Sequence, residues 1–157
     1  MSSAAMPDPM ASRLGYALKR AHHALRARMD EALRPTGITM PQYAVLSAIE
    51  LDSGLSSARL SRAAFVTPQT MHGLLTNLQR GGLLLREPDP EHGRILRNRL
   101  TPEGSAVLAE AHRVVAQVEA IMIATVGEAQ ASVMAQTLSR CAERLDDRPG
   151  NDAGAGK

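Results

Sequence analysis

Apolar residues return every three or four positions at Leu14, Leu18, Ala21, Leu25, Met29 and Leu33, a single stripe along one helix that begins near Met10. Pro35 and Gly37 end it. Thr39 precedes a second helix, from about Pro41 to Leu51, whose apolar residues are Tyr43, Val45, Leu46 and Ile49. Asp52, Ser53 and Gly54 close that helix. Ser56 or Ser57 caps a short third helix that turns Leu60 and Ala64 inward and Arg59 and Arg62 outward. Phe65 and Val66 make a turn, and Thr67-Pro68 opens a fourth helix with a capping hydroxyl followed by a proline whose missing N–H costs nothing there. Met71, Leu74, Leu75 and Leu78 then fall at i, i+3, i+4 and i+7, which predicts a buried face.

Beyond Gly81-Gly82 the period changes. Leu83 to Leu85 reads as a short strand, EPDPEHGR as a turn-rich loop, and Ile95 to Leu100 as the returning strand. Thr101-Pro102-Glu103 caps a long helix to about Val126 with Leu108, Val115, Val118 and Met122 on its apolar side. After Gly127 a last helix runs to about Asp146, with Val126, Met134, Leu138, Cys141 and Leu145 along one stripe. Short helix, tight turn, helix and hairpin together predict a winged helix-turn-helix over residues 37–101. The expected fold class is mainly α with a small β-hairpin wing. Residues 10–36 and 102–147 are expected to form a helical region in which the long first helix lies against either the C-terminal helices or a second copy of the chain, and the small, polar, Pro/Gly-rich ends 1–9 and 148–157 to be frayed tails.

Composition changes this picture little, and charge changes it more. Hydrophobic residues make up 44% of the 157 residues, yet only three are aromatic, so the core must come from Leu, Val, Ile, Met and Ala. The formal net charge is +2, too small to indicate a polyanionic partner by itself. Its distribution is uneven: residues 53–100 balance at +4, residues 1–52 at +1 and residues 101–157 at −3. The excess positive charge therefore lies where the helix-turn-helix is read, as contact with DNA phosphates requires.

The fourth helix leaves Gln69, Thr70, His72, Gly73, Thr76, Gln79 and Arg80 opposite its apolar face, with no acidic side chain among them. Most polar helix faces are simply solvated. Here the capped short helix before it, the basic flank and the hairpin after it favour double-stranded DNA as the partner. The candidate DNA-binding residues are Ser56, Arg59, Thr67, Pro68, Gln69, Thr70, His72, Gly73, Thr76, Arg80, Arg86, Arg94 and Arg97. Gln69 suits an adenine edge, and the Thr hydroxyls suit bases or phosphates. Gly73 lacks a side chain and either permits close backbone approach or is simply tolerated. Of Arg86, Arg97 and Arg99 on the strands, one or two are expected on phosphates.

Three segments, GITMPQYAVLSAI (37–49), VTPQTMHGLLTNLQRGGLLLR (66–86) and PDPEHGRILRNRLTPEG (88–104), resemble the MarR family of homodimeric winged-helix transcription factors. Helix order extends the likeness over about residues 10–146. The resemblance implies a homodimer, with residues 10–36 and 102–147 as its helical dimerisation region, on a pseudo-palindromic operator, most often as a repressor. It also implies release by a small aromatic or phenolic effector, for which Tyr16, Arg20, His23, Tyr43 and His112 are the candidate binding residues, with Arg26 an alternative partner for a carboxylate. The family wing carries Asp-x-Arg nine and seven residues before the Thr of the next helix. Here those positions hold His92 and Arg94, so the resemblance keeps Arg94 as minor-groove reader while the carboxylate that would orient it is replaced.

Other readings are weaker. His22 and His23 are adjacent and point about 100° apart on a helix, so no metal site is expected. Cys141 falls on an apolar stripe and reads as inert packing. No Gly-rich phosphate loop or nucleophile elbow occurs, so neither an enzyme nor a cofactor is expected. No apolar run has membrane length and no leader pattern is present, which makes a cytoplasmic protein the expectation. The alternative function is a helical protein–protein interaction module on a winged-helix scaffold, which would call for an acidic or apolar face on the fourth helix.

Overall fold

Residues 12–88 and 96–147 are described by a computed structural model of the chain. The element order is α1 (Leu14–Leu33), a 3₁₀ turn (Arg34–Thr36), α2 (Met40–Leu51), α3 (Ser57–Ala63), α4 (Pro68–Arg80), β1 (Leu84–Pro88), β2 (Leu96–Leu100), α5 (Pro102–Val126) and α6 (Glu128–Asp146). Two compact units divide between Val118 and Glu119. The expected terminal tails lie outside the described residues.

Helix starts in the first unit follow local chemistry. Thr39 and Gln42 form a reciprocal capping box on α2, with the Thr39 N–H donating to Gln42 Oε1 at 2.9 Å. Ser56 Oγ accepts from the Arg59 N–H on α3, and Thr67 Oγ1 accepts from the Thr70 N–H on α4. α1 is the exception. It begins at Leu14, the first residue of its apolar stripe and not near Met10, behind Arg13, which offers no side-chain cap. It ends as expected, at a 3₁₀ turn containing Pro35, followed by left-handed Gly37 (φ 75°).

The core of this unit gathers Val45, Leu46 and Ile49 of α2, Leu60 of α3, and Met71, Leu75 and Leu78 of α4. Leu84 of β1, Met29 and Leu33 of α1, and Leu108, Ala111 and Val115 of α5 complete it. Leu74 and Ala64, both expected inside, are half-buried. Two polar residues are buried although the sequence did not mark them: Ser61, whose Oγ donates to the Ser57 carbonyl, and Asn98 on β2. The α1 stripe splits: Met29 and Leu33 are buried, while Leu14 and Leu18 are 74% and 44% exposed.

β1 and β2 pair antiparallel, from Leu84 opposite Leu100 to Pro88 opposite Leu96. The first strand was expected at Leu83–Leu85. It starts one residue later and runs on through Arg86 and Glu87 to Pro88, while the Thr101 N–H donates to the Leu83 carbonyl at 3.2 Å just beyond the Leu84–Leu100 pair. Thr101 ties the same corner twice more. Its Oγ1 donates to the Gly82 carbonyl at 2.6 Å and accepts from the Gly104 N–H at 2.9 Å, capping α5. The α5 backbone comes so close here that a Cβ on Gly104 would overlap the Leu83 carbonyl oxygen.

In the second unit the end of α5 turns at Gly127 (φ 84°) into α6. Its apolar residues, among them Met122, Met134 and Leu138, are exposed, and none of α6 is buried. No described helix is long and apolar enough to cross a membrane.

The corner gives a direct test. Gly104→Ala should lower the unfolding free energy by about 1–3 kcal/mol through overpacking. Gly73→Ala, where an added Cβ meets nothing within 4 Å, should raise it by roughly 0.5–1 kcal/mol by favouring helix. Urea denaturation of both variants checks the pair, and equal shifts would contradict the close approach at Leu83.

Candidate nucleic-acid interface

α4 is held by its buried leucines so that Gln69, His72 and Arg80 project as exposed side chains, without a polar partner among the described residues. The three hydroxyls on this helix are already engaged. Thr67 and Thr70 share a hydrogen bond at 2.9 Å, and Thr76, half-buried, donates to the His72 carbonyl at 2.9 Å. Pro68 has no N–H and the Thr70 N–H is capped, so the Gln69 N–H is the open backbone donor of the first turn. The helix N-terminus adds partial positive charge at the same place.

Arg59 is exposed on α3, whose N-cap is Ser56. No acidic residue occurs anywhere from Ser53 to Arg86. A face with several arginines, an open amide and no carboxylate suits a phosphate-lined groove.

On the hairpin the two described candidate arginines differ. Arg97 sits directly across from Glu87, so its charge is partly offset in the strand pair. Arg86 lies across from Asn98, and neither Arg86 Nε nor Asn98 Oδ1 has a hydrogen-bond partner among the described residues. The inward position of Asn98 follows from the period of two counted back from Leu100, a signal the flanking arginines obscured. Arg94 and His92 lie outside the described residues.

The candidate effector residues fall into two groups. Tyr16, Arg20 and His23 line an open hollow of about 640 Å³ along α1. Tyr43 and His112 instead meet each other: the Tyr43 hydroxyl is 3.0 Å from His112 Nδ1, and the rings pack edge to face. His112 Nε2 is in turn 3.0 Å from Glu50 Oε2. Glu50 was not among the expected residues. It lies seven positions after Tyr43, two helical turns, and so on the same face of α2. The chain Tyr43–His112–Glu50 therefore links α2 to α5. Cys141 is half-buried, and no cluster of three metal-ligating residues occurs among the described residues.

Residues 36–95 match the model of the MarR family. The HTH-type transcriptional repressor Rv2887 of Mycobacterium tuberculosis is 39% identical over 111 residues, 71% of this chain and 80% of the relative. The crystal structure of that protein with salicylic acid covers 83% of this chain and 96% of its own, at 35% identity and a TM-score of 0.68. The transcriptional repressor CouR bound to a 23-mer DNA duplex covers 90% of this chain and 99% of its own, at 25% identity and a TM-score of 0.80.

The link between α2 and α5 can be measured. Tyr43→Phe should cost about 1 kcal/mol, the net worth of one hydrogen bond. In a double-mutant cycle with His112→Ala by urea denaturation, the two changes should be non-additive by a similar amount. Additive effects would mean the contact carries no energy.

Proposed function

Because the chain belongs to the MarR family, we propose that it is a transcriptional repressor that binds a pseudo-palindromic operator as a homodimer and is released by a small aromatic acid. The observation that carries DNA binding is the acid-free face of α4, flanked by Arg59 and by the hairpin arginines. α4 enters the major groove with its N-terminal turn. Gln69 reads a base edge, while Thr67, Thr70, His72 and Thr76 make further base or phosphate contacts, and Gly73 lets the backbone come close. Arg59, Arg80, Arg86 and Arg97 hold phosphates near the capped ends of α3 and α4 at Ser56, Thr67 and Pro68. Arg94 reads the minor groove from the wing.

The dimer follows from uncovered apolar stripes. Leu14 and Leu18 of α1, and Met122, Met134, Leu138 and Leu145 near the chain's end, are exposed in one copy, and the same helices of a second copy give them cover. Such a dimer sets its two α4 helices about 34 Å apart, one turn of DNA. The relative crystallised with salicylic acid supports an aromatic carboxylate as effector. On this chain Arg20 pairs the carboxylate, with Tyr16 and His23 beside it, while Tyr43 and His112 carry the change towards α2. The effector acts by favouring a dimer whose α4 spacing misfits DNA.

A gel-shift titration of the purified protein with the DNA upstream of its own gene tests the reading. A specific, salt-sensitive complex that salicylate weakens is expected, and its absence sinks the proposal. Arg80→Ala should weaken all duplexes alike and reduce the log K against log salt slope by about 1. Gln69→Ala should instead cost about 1–3 kcal/mol on the operator alone. Gly73→Ala should weaken binding while it stabilises the fold.

A further inference from the structure

We infer that Phe65 is a DNA-contacting residue, its ring packing on the apolar carbon surface of the duplex beside the base pairs that α4 reads. Phe65 is 95% exposed, the highest value among the exposed large hydrophobic residues of the described chain. It is also the chain's single phenylalanine, in a protein with three aromatic residues altogether. Its backbone is left-handed (φ 53°), and no other described non-glycine residue has a positive φ. An L-residue disfavours that conformation because its Cβ crowds the following carbonyl, whereas glycine adopts it freely.

The turn itself explains the backbone but not the ring. Closing α3 requires a left-handed residue here. The Phe65 N–H donates to the Arg62 carbonyl at 3.2 Å and the Val66 N–H to the Ser61 carbonyl at 3.0 Å. Glycine or asparagine would serve that geometry at least as well. The phenyl ring adds no burial within the chain, so its use lies outside it.

Position and charge select the occupant. Phe65 stands two residues before Thr67, the cap of α4, and at about 3.8 Å per Cα step it is within roughly 8 Å of that cap. Exposed Arg59 and Arg62 precede it on α3, and no carboxylate lies between Ser53 and Arg86. A ring framed by cations suits a surface that alternates phosphates with apolar carbon, the deoxyribose edges and thymine methyl groups of a duplex. A second copy of the chain fits less well. One ring flanked by half-buried Val66 and small Ala63 and Ala64 is far below the roughly 800 Å² per partner of a stable protein interface.

The inference rests on DNA binding as proposed above, and its test separates the two. Phe65→Gly and Phe65→Asn both keep the left-handed turn, so both variants should fold, with a Tm equal to or a few degrees above that of the wild type. Fluorescence anisotropy with the labelled upstream duplex should show the dissociation constant raised about ten-fold in both. The salt slope should stay unchanged, since no cation has been removed. A duplex with uracil in place of thymine identifies the surface touched. Weaker wild-type binding, with the variants unaffected, assigns the thymine methyls, and unchanged wild-type binding assigns the deoxyribose. Wild-type affinity in both variants overturns the inference, as does a change in sedimenting mass, which would place the ring between copies. A wild type that binds no duplex sinks the proposed function as well.

Discussion

The corner where α5 begins fixes everything the hairpin can do. Thr101 holds the Gly82 and Leu83 carbonyls with its hydroxyl and its N–H, and the same hydroxyl caps α5 through Gly104. Three polymer directions meet there: the end of α4, the first strand, and the long helix. A side chain at Gly104 would force them apart. The hairpin otherwise has only two strands, and an isolated two-stranded ribbon is marginal in water. Its anchoring at Thr101, with Leu84 buried in the core, is what allows Arg86 and Arg97 to hold a fixed relation to α4.

That anchoring also explains which parts of the molecule the sequence could show. α4 was legible from end to end, because Thr67-Pro68 is a local signal and Met71, Leu75 and Leu78 repeat with the helical period. The hairpin was legible in kind but not in extent. The strand continues past Leu85 through Arg86 and Glu87, polar residues that carry no apolar alternation to mark its extent. The start of α1 was placed too early, near Met10, because no capping side chain marks the point where the helix begins.

Site residues divide along the same line. The face of α4 follows from helical geometry alone, so its exposed members could be named in advance. Glu50 could not, since it owes its role to His112 on α5, distant in sequence, and the inward period that buries Asn98 was hidden by the arginines on either side of it. Phe65 ran against the ordinary expectation that the scarcest large apolar residue goes inside. The apolar stripes of α1 and α6 were readable as stripes, while the exposure of Leu14, Leu18, Met134 and Leu138 on them was not.

The contact between Tyr43, His112 and Glu50 bears on how a distant ligand would reach α4. Tyr43 and Glu50 stand two turns apart on α2, so one imidazole on α5 grips that helix at two heights. A single contact would leave α2 free to pivot about it; two contacts resist rotation as well as separation. α2 shares its buried residues with α3 and α4, through Leu46, Leu60 and Leu75 in one core. Packed cores shift between discrete arrangements more readily than they deform continuously. A ligand that altered the hydrogen bonding of His112 would therefore move α4 together with α2 and not bend one against the other. Such a coupling would need no path of its own beyond a hydrogen-bonded imidazole and a core that moves as a body.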